Sequence, residues 1–95
     1  MRYALTVKGN VQDVGYRDYV EKSANVKRLK GYVFNDMDGT VKMVCEGAAE
    51  KIDNFIDDIS LHEDYIFVED IQKSEVDDAF PIPVKFSRVE NDELT

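Results

Sequence analysis

The hydrophobic period of the chain changes within its first 24 residues, and this change constrains the fold more than any other feature. Apolar residues alternate with more polar ones from Tyr3 to Val7, which is typical of a strand with one apolar face. From Tyr16 to Ala24 they recur every four positions, which is typical of an amphipathic helix. The intervening segment is bounded by Gly9 and Gly15. The sequence therefore predicts a strand, a glycine-flanked loop and a helix in direct succession.

This loop has the chemistry of an anion-binding turn. The first N–H groups of a helix lack intrahelical acceptors, and the helix dipole favours negative charge at that end. Arg17, in the first turn of the predicted helix, adds a planar charged group that matches the oxygens of a phosphate. We therefore predict that Arg17 and the backbone of one loop bind phosphate, the loop residues being Asn10, Val11, Gln12, Asp13, Val14, Gly15 and Tyr16.

The rest of the chain continues the alternation of strands and helices. A short β-prone run, a hairpin turn and a second alternating run are followed by apolar residues at helical spacing, and then by two further β-prone runs. These predictions fall on residues 32–34, 35–39, 41–45, 48–59, 65–71 and 84–89, respectively. The resulting order, βαββαβ, predicts an α+β ferredoxin-like sandwich, with an antiparallel sheet and two helices on one face.

Several motifs together resemble the signature series of the acylphosphatase family, in order and at the family's spacings. They are Gly9-x-Val11-Gln12-x-Val14-Gly15-Tyr16-Arg17, Gly31-Tyr32-Val33-x-Asn35, Asp38-Gly39-x-Val41 and Glu46-Gly47. The resemblance implies a metal-independent enzyme that hydrolyses acyl phosphates to a carboxylate and inorganic phosphate, without a cofactor. It also implies that Arg17 and the loop amides hold the phosphoryl group, while Asn35 orients the attacking water. One position departs from the family pattern, because Asp13 replaces the usual glycine.

The residue types agree with catalysis by positioning rather than by a covalent nucleophile. An acyl phosphate has a good leaving group, so its hydrolysis mainly requires orientation and charge stabilisation. Asn35 can bind water without repelling an anionic substrate, because its amide is neutral. Cys45 lies on a predicted strand without a nearby His, and His62 is isolated in an acidic segment, so we interpret both as structural. No His, Cys and Asp cluster has the spacing of a metal site.

Composition bounds the class of protein. Ninety-five residues with 43% hydrophobic content predict one domain over residues 1–95, with an acidic tail from about residue 90. A single cysteine and the lack of a signal-like or spanning apolar run predict a cytoplasmic protein that is not membrane-bound. The net charge of −8 argues against a nucleic-acid partner. The resemblance implies that the partners are a small acyl phosphate and inorganic phosphate, which is the product and an inhibitor, and we expect a monomer.

Two alternative functions and one open structural question remain at this stage. A catalytically weak anion-binding or regulatory module is favoured by the charge of Asp13. RNA binding is weakly indicated by residues 30–34, which resemble an aromatic RNA-binding strand, but they fall on the second strand instead of the third, in an acidic chain. The apolar run of residues 65–68 is compatible either with a dimerising sheet edge or with a buried strand.

Overall fold

The structure is a computed structural model that describes residues 1–77 and 81–90. Within these residues, six strands and two helices follow one another as β1 (Arg2–Asn10), α1 (Tyr16–Val26), β2 (Lys30–Asn35), β3 (Val41–Glu46), α2 (Ala49–Ile59), β4 (His62–Glu63), β5 (Ile66–Glu75) and β6 (Ser87–Arg88). The predicted acidic tail lies outside the described residues beyond residue 90. No described helix has the length and apolar character needed to span a membrane.

The sheet confirms the ferredoxin-like arrangement, with one difference at its edge. Its strand order is β4-β5-β1-β3-β2-β6, and β1 pairs antiparallel with both β3 and β5. β6 instead lies parallel to β2, with Ser87 opposite Tyr32, so the sheet is mixed and not wholly antiparallel. The chain leaves β5 near one edge of the sheet and reaches β6 at the other edge. This crossover of the whole sheet permits parallel pairing of β6 with β2, which a short hairpin would not.

The hydrophobic core lies between the helices and one face of the sheet. The α1 residues predicted to face inward, Tyr16, Val20 and Ala24, are all buried, which confirms the predicted periodicity. On α2 the buried residues are Ile52, Phe55 and Ile59, whereas Ala49, the first residue of this helix, is exposed. These side chains join inward-facing strand residues in one buried cluster. Burial of this apolar surface is the main stabilising contribution to such a fold.

The last predicted strand is shorter than expected, for a reason that lies in α1. The side chain of Asn25 accepts a hydrogen bond from the Phe86 N–H and donates one to the Phe86 carbonyl, each at 3.1 Å. The backbone of Phe86 is thereby satisfied outside the sheet, and pairing is limited to Ser87 and Arg88. Val84, predicted to lie on this strand, is 79% exposed.

The other edge of the sheet was only partly predicted. The short strand β4 was not predicted, and β5 begins and ends later than the expected residues 65–71. Tyr65 lies in the turn between these strands and is 81% exposed, while Val68 is buried. His62 stacks on Phe67 with ring centroids 4.6 Å apart and its Nε2 lies 2.8 Å from the Val68 carbonyl oxygen. The apolar run is therefore neither uniformly buried nor uniformly exposed.

Candidate anion-binding site

The loop between β1 and α1 turns through two residues with left-handed backbone conformations. Asp13 has φ 62° and Gly15 has φ 83°. Gly15 is the N-cap of α1, and no side chain caps this end of the helix. Asp is among the few residues other than glycine that adopt this conformation at low cost, so Asp13 is compatible with the loop's shape despite departing from the family pattern.

The amides of the loop and of the first helical turn are available to an external acceptor. From Gln12 to Asp18, no backbone N–H donates a hydrogen bond to any residue in the two described ranges, and the first N–H in α1 that does so belongs to Tyr19, at 3.3 Å from the Gly15 oxygen. Unpaired amides at a helix N-terminus, together with the helix dipole, favour an anion.

A small cavity opens beside these amides. Its volume is about 150 Å³, and it is lined by Val11, Asp13, Gly15, Tyr16, Arg17, Asp18 and Arg88. That volume corresponds to about five water molecules in the liquid, which is sufficient for a phosphoryl group. Five of the predicted site residues therefore line one concavity, together with two residues that were not predicted.

At the cavity, Arg17 forms an ion pair with Glu90, the last residue that the structure describes. Its Nη1 lies 3.5 Å from Glu90 Oε1, and 22% of the Arg17 side chain is exposed compared with 69% for Glu90. An ion pair with so exposed a partner contributes about 0–1 kcal/mol, so an incoming anion can displace Glu90 at small cost.

Asn35 is the last residue of β2, opposite Val41 of β3. It shares the helix-facing side of the sheet with buried Val33, two positions earlier. Its Oδ1 is buried and has no hydrogen-bond partner within the described residues. Asn35 does not itself line the cavity. The structure thus gives it an unsatisfied polar atom but does not bring it into the cavity wall beside Arg17.

Gln12 connects the loop to the turn that follows Asn35. Its Nε2 donates to the carbonyl oxygens of Asp36 and Thr40, at 2.7 and 2.9 Å. From the sequence, Gln12 was predicted to bind phosphate only through its backbone. Its side chain instead fixes the spatial relation between the loop and the β2–β3 hairpin, which is a tertiary contact that no local pattern reports.

Tyr16 fixes the start of α1 in the core. Its hydroxyl donates to the Ile59 carbonyl at the end of α2, at 2.8 Å, and the side chain is fully buried. Burial also raises the pKa of the Tyr16 hydroxyl well above its usual value, because the charged form would lose its hydration. The phenol is therefore a neutral donor that holds the helix N-terminus in place.

Two predicted loop residues point elsewhere. Asn10 is the last residue of β1, and its side chain donates to the Tyr65 carbonyl in the β4–β5 turn. Val14 is partly buried against the hydrophobic core. Neither residue lines the cavity, and their proximity to it follows from the backbone path rather than from their side chains.

The isolated nucleophilic residue of the sequence lies away from the cavity. Cys45 is fully buried on β3, and burial raises the pKa of its thiol to about 12. A thiol that stays protonated at neutral pH is a poor nucleophile. In the described part of the chain, no group of His, Cys, Asp or Glu side chains has the geometry to hold a metal ion.

Comparison with known proteins identifies the family. A sequence model described as Acylphosphatase matches residues 3–87, which include the whole loop, Arg17 and Asn35. The chain belongs to the acylphosphatase family. An acylphosphatase of Bacillus licheniformis is 35% identical over 75 residues, covering 79% of this chain and 83% of the relative. The crystal structure of acylphosphatase from Bacillus subtilis superposes with a TM-score of 0.79 at 30% identity, covering 93% of this chain and 97% of that one.

The same fold also occurs inside a much longer protein. The crystal structure of HypF from T. kodakarensis superposes with a TM-score of 0.80 at 32% identity, covering 94% of this chain but only 12% of HypF. An acylphosphatase domain can therefore be part of a larger protein with another role. This chain matches the small acylphosphatases over most of their length, and this match supports its assignment as an enzyme that hydrolyses acyl phosphates.

Proposed function

We propose that this acylphosphatase hydrolyses small acyl phosphates with Arg17 and the loop amides binding the phosphoryl group and Asn35 orienting the water. The observation that carries the proposal is the cavity at the α1 N-terminus, where Arg17 and a series of unpaired amides lie together. Such donors stabilise the negative charge on the phosphoryl oxygens as it is redistributed in the transition state.

The reaction needs no covalent intermediate. The oxygen of a water molecule forms a new bond to phosphorus while the bond from phosphorus to the acyl oxygen breaks. The electron pair of that bond leaves with the carboxylate, and the water protons pass to the phosphate oxygens and to solvent. Because the carboxylate is a good leaving group, the site's contribution is to hold the phosphoryl group and the water in line. We propose that this chemistry proceeds without a metal ion or an organic cofactor.

The buried Oδ1 of Asn35 supports a role for this residue in water positioning. A buried acceptor without a partner costs about 1–3 kcal/mol, so such a group is usually satisfied by water or by a ligand. Gln12 holds the turn after Asn35 against the phosphate-binding loop. A water bound to Asn35 would therefore keep a constant position relative to the bound phosphoryl group.

Steady-state hydrolysis of benzoyl phosphate, followed by ultraviolet absorbance, tests this proposal. Loss of one preorganised donor to a developing charge costs about 3–4 kcal/mol of barrier, so Arg17→Ala should reduce kcat/KM by a factor of about 100 to 1,000 and weaken inhibition by inorganic phosphate. Asn35→Ala should lower kcat while phosphate inhibition is nearly unchanged. Undiminished turnover in Asn35→Ala would remove this residue from the mechanism.

A second candidate function is that of an anion-binding module with little catalysis. It is favoured by Asp13, an acidic residue that lines the same cavity where the family resemblance implies a glycine. Phosphate titration monitored by the loop amide resonances distinguishes the two functions. Phosphate binding without hydrolysis of benzoyl phosphate, both in the absence of metal and after addition of Mg²⁺ or Zn²⁺, would favour the module. Hydrolysis only with an added metal would refute metal independence.

A further inference from the structure

A second guanidinium lies at the anion-binding cavity. Arg88, on β6, lines the cavity together with Arg17, although the two residues are far apart in the chain. β6 is placed there by its parallel pairing with β2, in which Arg88 lies opposite Val33. No motif in the sequence indicates this residue, because its approach to the loop depends entirely on the path taken after β5.

The Arg88 side chain is oriented by two acidic residues of α1. Its Nη1 lies 2.6 Å from Asp18 Oδ1, and its Nε lies 3.8 Å from Glu21 Oε1. The Arg88 backbone N–H also donates to Glu21 Oε2, at 3.0 Å. The closest approaches in these two ion pairs are made by Nη1 and Nε rather than by the other terminal nitrogen, Nη2. The guanidinium is therefore held at two of its nitrogens, and its five N–H groups leave donors for a ligand.

The charges around the cavity indicate why a second cation is needed. The residues that line the cavity include the acidic Asp13 and Asp18, and among the lining residues only the two arginines carry positive charge. Without Arg88 the lining would carry one net negative charge, and Arg17 already contacts Glu90. Binding a phosphoryl group in such a cavity would then be opposed by electrostatic repulsion.

We propose that Arg88 is a second phosphate-binding residue, which contacts the phosphoryl group beside Arg17 and offsets the charge of Asp13. This inference rests on the proposed function, because it assigns the same cavity to the phosphoryl group. It adds a contact from the end of the described chain to a site that the motifs place entirely in the first half. The ligand class is a phosphate monoanion or dianion, whether free or part of an acyl phosphate.

Titration with inorganic phosphate at low ionic strength, monitored by the backbone amide resonances, tests the role of Arg88. Arg88→Gln should raise the phosphate Kd by about fivefold to tenfold, as expected for loss of one partly exposed charge at contact distance. Arg28→Gln is the matched control, because it removes the same charge from an exposed residue outside the cavity, and its Kd should stay within about twofold of the wild-type value. Equal Kd values for these two variants would overturn the inference.

A second comparison separates direct binding from mere neutralisation of Asp18. In an Asp18→Asn background, Arg88→Gln should still raise the phosphate Kd about fivefold if Arg88 contacts phosphate. If Arg88 only screens Asp18, the substitution would have no effect in that background, and the inference would be wrong. Arg17→Ala separates this failure from failure of the proposed function: if it abolishes phosphate binding while Arg88→Gln is neutral, only the role of Arg88 fails. A wild-type protein that binds no phosphate would overturn both.

Discussion

We expect the negative charge of Asp13 to weaken the binding of phosphate at this site. Asp13 is one of the residues that line the cavity. A unit charge about 7 Å from a phosphoryl charge, at an effective dielectric of 20 to 80, opposes binding by about 0.6–2.4 kcal/mol. Asp13 is exposed, so the lower part of that range applies. We therefore expect Asp13→Asn and Asp13→Gly each to lower the phosphate Kd by about threefold to tenfold.

The two substitutions separate charge from backbone conformation. Both remove the carboxylate, and asparagine tolerates the left-handed conformation of residue 13 about as well as aspartate does. Glycine additionally relieves backbone strain of about 1 kcal/mol. It also raises the conformational entropy of the unfolded chain, which lowers the free energy of unfolding by about 0.4–1 kcal/mol. These contributions nearly cancel, so neither variant should change Tm by more than a few degrees.

Isothermal calorimetry with inorganic phosphate, at low ionic strength and again in about 0.5 M KCl, measures the effect of Asp13. If it is electrostatic, the advantage of both variants should shrink at high salt, where the screening length is shorter. A phosphate Kd for Asp13→Asn equal to that of the wild type at low salt would refute this electrostatic reasoning. Tighter binding by Asp13→Gly alone would instead assign the effect to the backbone.

Three further predictions concern the residues that support the site. Gln12→Leu should lower the free energy of unfolding, measured by urea denaturation, by about 1–3 kcal/mol, because two carbonyls lose their donor. In benzoyl phosphate kinetics the same variant should show a larger loss in kcat than in phosphate affinity. Tyr16→Phe leaves the Ile59 carbonyl without its buried donor, so calorimetry should show Tm lower by about 4–8 °C for each kcal/mol lost. Burial raises the pKa of the Cys45 thiol to about 12, so the thiol is protonated at pH 8. Iodoacetamide at pH 8 should therefore alkylate Cys45 only after unfolding in urea. Rapid alkylation of the folded protein would contradict the burial of this residue.

Much of the fold could be predicted because its strongest signals are local. The buried stripe of α1 follows directly from residues spaced four apart, and its start at Tyr16 follows from Gly15 at the N-cap. The unpaired amides of the loop are likewise a local consequence of a strand passing through a tight turn into a helix. Such features depend on neighbouring residues in the chain, so the sequence pattern is sufficient to find them.

Predictions failed where the backbone was satisfied by a distant partner. Residues 84–86 have strand-like composition, but Asn25 takes both backbone hydrogen-bonding groups of Phe86, so the strand begins only at Ser87. The parallel direction of β6 likewise depends on where the chain goes after β5. Neither outcome can be derived from local periodicity, because each is decided by contacts made across more than 50 residues.

By itself, the sequence determined the strand–loop–helix unit, the motif series of the family and the candidate roles of Arg17 and Asn35. Tertiary structure decided which distant residues act at the cavity. It brought Arg88 to the cavity, placed Glu90 against Arg17, and joined the loop to the hairpin through Gln12. The physical reason is the range of the interactions. Backbone conformation and helix capping are set by adjacent residues, whereas the charge balance of a cavity is set by every chain segment that folds around it.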